Sequence, residues 1–382
     1  MTNPPRPRGT PPLNPVYLLT SARKVNSLTN SNGVHWVTIS EVLVEAGSSE
    51  LRRRQREPMT VHGRHVGLVD ATPSRLRKTM NAPARTVMPD LTFTEGARWR
   101  DGRLWFSDLY TYQVLSCLGD GSDLRVEATV PHQPSGLGWL ADGRLLVVSM
   151  MDRTLMRREH DGTMVVHADL AQHAAGYLGD LVADDHGRAY LGNFGFDIYA
   201  DEPMAPTSIH RVDPDGTITE VARDVWFPNG CAITPEGSLL VNETFGNRIT
   251  AFDLTEGGDL VNRRVWAQFG PLPTSTRPDE ALKEVAVAPD GCCLDAEGGL
   301  WIADIRNKRA VRVVEGGAIT DEVRPGENTN VFAVALGGED GRTLFLCAAP
   351  DFDVETRQST RAASVMAVRV RVSAWPDLHV AP

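Results

Sequence analysis

Beyond residue 90 the chain alternates apolar and polar positions in short bursts, each entered through a glycine turn. The bursts read "DGRLWFSD" (101–108), "DGRLLVVS" (142–149), "HGRAYLGN" (186–193), "EGSLLVNE" (236–243), "EGGLWIAD" (297–304) and "DGRTLFLC" (340–347). Alternation with period two marks strands, and no segment keeps a 3.6-residue period beyond about two turns. The turn glycines Gly102, Gly143, Gly187, Gly237, Gly298 and Gly341 are 41, 44, 50, 61 and 43 residues apart. A repeat of that length, with room for four short strands, predicts a β-propeller. Six copies predict six blades, an all-β fold over residues 80–382. A four-stranded blade is apolar on both faces and cannot bury itself alone, so the blades must pack in a ring around a tunnel. "RTVMPDLTF" (85–93) and "SVMAVRVRV" (364–372) are the candidate strands for closing that ring.

Ahead of each turn lies another strand, entered through a small motif of its own. The motifs are Glu95-Gly96, Ser135-Gly136, Gly179-Asp180, Asn229-Gly230 and Asp290-Gly291; the sixth copy offers Phe332 instead. Asn229-Gly230 and Glu236-Gly237 are too close together to be two independent hairpin turns. The strand between them is therefore the innermost one, and Asn229 stands at the tunnel mouth. Equivalent positions face one axis, so Glu95, Ser135, Gly179, Asn229, Asp290 and Phe332 converge. Asn-Gly and Asp-Gly are ordinary strand-entry turns when taken singly. Glu has no such preference, and three side-chain oxygens in one register suit a hard cation. Ca²⁺ is the first expectation, with Mg²⁺, Mn²⁺ or Zn²⁺ as alternatives.

Composition narrows the partners. The chain has 382 residues, 39 basic against 49 acidic, yet residues 1–79 carry a net +7 and the remainder −17. An acidic body disfavours nucleic acid. Five cysteines without CxxC spacing suggest reduced thiols, and no apolar run is long enough to span a membrane, so a cytoplasmic protein is expected. The front segment opens Pro-rich, "MTNPPRPRGTPPLNP", and shows no sustained period before Met80. It reads as a disordered extension or as a spurious one, with Met80 the natural start.

The motifs "FTEGARW" (93–99), "FPNGCAITPEG" (227–237), "NETFGNRI" (242–249) and "APDGCCLDAEGGLWIAD" (288–304) resemble the senescence-marker-protein/gluconolactonase family, whose members include regucalcin-like and luciferin-regenerating-enzyme-like proteins. The resemblance covers roughly residues 88–372. It implies a six-bladed propeller, one divalent cation in the tunnel, and hydrolysis of a lactone or related ester. It further implies Glu95, Asn229 and Asp290 as metal ligands and Asp290 as the catalytic acid/base. The third blade departs from the family pattern. Gly179 stands where an Asn is usual and Tyr177 where an Arg is frequent, which disfavours a sugar lactone and favours a bulkier or less polar substrate. Asp180 is expected to point away from the axis. Ser135 and Asp197 are candidate substrate contacts, and Met150, Met151, Phe194, Phe196 and Met204 are candidates for the pocket lining.

The mechanism expected is attack by a metal-activated water, with Asp290 as base. No Gly-x-Ser-x-Gly occurs to support a serine hydrolase. Two other readings share the same residues: a binding propeller that only uses the metal for stability, and a phosphotriesterase.

Overall fold

In the computed structural model the described residues are 83–200 and 202–375, preceded by the backbone of two short hairpins, Val25–Thr29 with His35–Ile39 and Thr60–Val61 with Arg64–His65. Those hairpins apart, the expectation for residues 1–79 lies outside the described residues. Backbone contacts divide the chain into Met1–Pro73 and Ser74–Pro382, and the propeller belongs to the second unit.

Six four-stranded antiparallel sheets make up that unit. Their inner strands are Thr94–Arg100, Pro134–Trp139, Leu178–Ala183, Pro228–Ile233, Pro289–Leu294 and Asn330–Gly337. Within each of the first five blades the strands follow one another in chain order. The six repeat glycines all have φ between 68° and 85°, the left-handed region that a tight turn between the first two strands requires. The alternating apolar residues after each turn are buried between blades: Leu104, Phe106, Leu146, Leu191, Leu240, Ile302 and Leu346 are at most 1% exposed. Their burial is the main force holding one blade against the next.

Blade six is completed by the other end of the chain. Its outer strand is Arg85–Leu91, which pairs with Ala363–Arg369 through Ala363↔Leu91, Val365↔Met88 and Ala367↔Arg85. The two segments expected at the seam do form it. A chain begun at Met80 keeps that strand and is expected to fold and melt cooperatively, whereas one begun at Phe93 leaves the edge of blade six unpaired and is expected to aggregate. Circular dichroism melts of the two truncations check this. A stable, soluble Phe93 form would show that the seam contributes little.

Candidate active site

The tunnel-facing residues owe their placement to a repeated irregularity. In all six inner strands the pairing register slips at the motif, between Glu95 and Arg98, Pro134 and Leu137, Leu178 and Leu181, Pro228 and Cys231, Pro289 and Cys292, and Val331 and Ala333. Such β-bulges twist the strand and re-aim a side chain. The glycine of the motif serves a second purpose. A Cβ on Gly96, Gly136, Gly230 or Gly291 would lie 2.4–2.7 Å from the backbone of the next blade's inner strand, so only glycine lets the blades approach so closely. The residue before it is left to face the axis.

Glu95 is half-buried and accepts a 3.3 Å hydrogen bond from its neighbour's Gly96 N–H. Burial and the nearby Asp180 carboxylate push the Glu95 carboxyl up to about 8, against the opposing pull of the Gly96 N–H and Arg98. Asp290 is 4% exposed, and its carboxyl is raised well above the usual range by burial and by the charges of Glu95 and Asp180, with the Gly291 N–H acting the other way. Asn229 donates from Nδ2 to Thr244 Oγ1 at 3.4 Å, and Thr244 in turn donates to the Pro289 carbonyl at 2.8 Å. That bond leaves the amide oxygen of Asn229 as the group free for a ligand. Asn242, from the "NETFGNRI" stretch, donates to the Asp290 carbonyl and so ties blade four to blade five.

Asp180 differs from the expectation. It is 3% exposed, and it pairs with Arg98 Nη2 at 2.7 Å; the same nitrogen donates to the Leu181 carbonyl at 2.5 Å. Arg98 lies on blade one and Asp180 on blade three, which are not neighbours in the ring, so the pair crosses the tunnel. Asp180 therefore points inward. In blade three the aspartate occupies the place that glycine takes in blades one, two, four and five, and the bulge turns it towards Arg98.

The donors fit a hard divalent cation. Oδ1 of Asp290 and Oδ2 of Asp180 are buried with no hydrogen-bond partner, a costly state for carboxylate oxygens unless something meets them. Three carboxylates facing one guanidinium leave two negative charges unbalanced when all are ionised. Carboxylate and amide oxygens are hard ligands. Among the described residues no set of three His, Cys, Asp or Glu forms a metal cluster by itself. A cavity of about 1320 Å³ opens at the opposite end of the tunnel, with Arg98, Cys231 and Cys292 in its lining, and Glu95, Asn229 and Asp290 are not part of it.

The profile of the SMP-30/Gluconolactonase/LRE-like region matches residues 93–350. The chain belongs to this family. An L-arabinolactonase of Azospirillum brasilense is 27% identical over 236 residues, 61% of this chain and 73% of its own. A pentonolactonase of Haloferax volcanii is 27% identical over 278 residues, 69% of this chain and 84% of its own. Among solved structures, a luciferin-regenerating enzyme superposes with a TM-score of 0.62 at 19% identity, covering 76% of this chain and 97% of that one. A regucalcin of Agrobacterium tumefaciens, a calcium-binding protein, gives 0.61 at 19% identity, covering 77% of this chain and 95% of that one. These two share the fold.

Within this SMP-30/gluconolactonase-like site the remaining candidates take varied places. Ser135 is buried at its bulge, and its carbonyl accepts from Ser107 Oγ at 2.7 Å. Phe332 occupies the sixth position, edge-on to Phe93 with ring centroids 4.7 Å apart. A side chain added at Gly179 would meet only Phe194 Cε1 at 3.5 Å and the Pro228 carbonyl at 3.8 Å, so open space lies in front of it. Tyr177 donates from its hydroxyl to Asp197 Oδ2 at 3.0 Å, while Asp197 Oδ1 accepts from the Tyr199 and Ala200 N–H groups. Asp197 thus anchors its own loop. Met150, Phe196 and Met204 are buried in blade and loop packing, and Phe194 is the member of that group beside Gly179. All five cysteines are free thiols.

Proposed function

We propose that the protein is a lactone hydrolase whose centre is the Glu95–Asn229–Asp290 layer of the tunnel, with a divalent cation, Ca²⁺ first, held by those three side chains. One observation carries the reading. Two carboxylates and an amide occupy one bulge position in blades one, four and five, and a buried Asp290 oxygen there has no protein partner. Membership of a family with lactonase relatives supports lactone opening as the reaction.

A cation in this layer would polarise an ester carbonyl and acidify water. The residues supply the rest. Asp290 takes a proton from the attacking water on one carboxylate oxygen while its other oxygen serves as a ligand. The Gly291 N–H holds the carboxylate in orientation. As the ring C–O bond breaks, Asp290 returns that proton to the departing alkoxide oxygen, leaving an open hydroxy acid. Asn229 presents its oxygen because Thr244 holds the amide nitrogen. Arg98 offsets part of the negative charge that would otherwise repel an incoming nucleophile.

Dialysis against a chelator followed by metal re-addition tests the reading on a panel of lactones, aryl esters and phosphotriesters. Lactone turnover is expected to fall by about 100-fold or more on chelation and to return with Ca²⁺. Turnover that survives chelation would remove the metal from the reaction. A protein that binds metal and opens nothing would be a binding propeller, and a preference for phosphotriesters would change the substrate class.

A further inference from the structure

We infer that the substrate carries an extended apolar substituent, alkyl or aryl, laid along an aromatic wall that rises from Gly179 beside the carboxylate layer. The inference rests on the lactonase reading above and names the kind of lactone. The wall starts at Phe227, two residues before Asn229. Phe194 stacks on Phe227 with centroids 4.3 Å apart and an interplanar angle of 17°. Tyr177 stands edge-on to Phe194 at 6.4 Å, and Tyr199 follows Tyr177 at 5.8 Å. The first ring is buried, the middle two are half-buried, and Tyr199 is 47% exposed. Aromatic surface therefore runs without a break from the inner strand out to solvent.

The start of this wall is also where the tunnel has room. Gly179 occupies the bulge position that carries Glu95, Asn229 and Asp290 in other blades, and nothing but Phe194 and one carbonyl lies within 4 Å of where its side chain would be. A group attached to a lactone held at the carboxylate layer can pass Gly179 and meet the face or edge of Phe194 next.

The wall is rigid and offers little to polar groups. Phe196 and Phe245 pack behind Phe227 at 5.8 and 5.2 Å, with Met204 and Ala281 in the same cluster. The Tyr177 hydroxyl donates to Asp197 Oδ2, and Asp197 Oδ1 accepts from the Tyr199 and Ala200 N–H groups, so both Asp197 oxygens are engaged. A polyhydroxylated ring substituent laid here would lose water without replacement hydrogen bonds, which is unfavourable. A hydrocarbon chain gains at every methylene, and a fixed surface spares the cost of ordering the wall on binding.

The test is a series of γ-lactones with side chains from methyl to octyl, with an aldonolactone for contrast. A matched series of alkyl γ-lactams, which share the ring but resist hydrolysis, is followed by calorimetry. With the wild type, kcat/KM and lactam affinity are expected to rise about three- to fourfold per methylene. In Phe194→Ala the rise should drop below about twofold per methylene. Tyr199→Ala, at an exposed side chain whose loss does not threaten the fold, should flatten only the longest members. Chain-length dependence that is absent in the wild type, or preserved in both variants, overturns the inference, as does a preference for the aldonolactone. If lactams bind with the expected slope but no lactone is opened, the wall stands and the hydrolase reading falls.

Discussion

Asp290→Asn is expected to keep the cation and lose turnover by about two orders of magnitude or more. The amide retains an oxygen to offer as a ligand but cannot accept the proton of water. Asp290→Ala removes ligand and base together, and metal affinity should fall with it. The stability of the two variants provides a separate readout. In the metal-free protein the charged form of Asp290 is disfavoured by burial and by Glu95 and Asp180. A neutral isostere relieves that repulsion, so Asp290→Asn should melt no lower than the wild type in chelator. Calcium titration by calorimetry, lactone kinetics and a thermal melt together separate the roles. Near-normal turnover in Asp290→Asn would falsify the base assignment and leave Asp290 a ligand at most.

The second large effect belongs to Arg98. Arg98→Met leaves Asp180 buried at 3% exposure with the guanidinium that donates to it gone. Breaking one side of a buried pair costs about 3–5 kcal/mol, while replacing both partners by apolar groups is often neutral. Arg98→Met is therefore expected to lower the urea midpoint of the metal-free protein strongly, and Arg98→Met/Asp180→Leu should recover most of the loss. Added calcium should rescue the single variant more than the double, because a cation in the carboxylate layer compensates the charge that Arg98 no longer offsets. If the single variant unfolds at the wild-type midpoint, the pair does not govern the charge balance of the tunnel.

The propeller and its register could be read from the chain because both rest on repetition. Six turn glycines impose one backbone conformation on six turns, and the small motif ahead of the first five marks the residue that stands at the bulge of each inner strand. Glu95, Ser135, Gly179, Asn229, Asp290 and Phe332 could be aligned without coordinates for that reason. Arg98 and Asp180 were hidden by the same bulge that made the motif work. Counting alternate positions from Glu95 puts Ala97 inward and Arg98 outward, but an extra residue in the strand reverses the phase. A charged residue three places after Glu95 on an innermost strand was the available signal. The aromatic wall was less accessible still. Phe194 and Tyr199 belong to the loop after the second strand of blade three, and packing placed Phe194 on the face of the wall, Phe196 and Met204 behind it, and Met150 in a different cluster.

The strand exchange at blade six bears on how the protein is made. Met88 emerges from the ribosome long before its partner Val365, and blade six cannot be completed until the last part of the fold has been synthesised. Until then the nascent blades form an open crescent. Blade six lies between blade five, which carries Asp290, and blade one, which carries Glu95, so these two carboxylates sit on opposite sides of the gap. They are driven together, with their mutual repulsion, only when the two ends of the fold meet. On the proposed cation-binding reading, the growing chain would hold no assembled site, and metal capture would be a late event tied to completion of the ring.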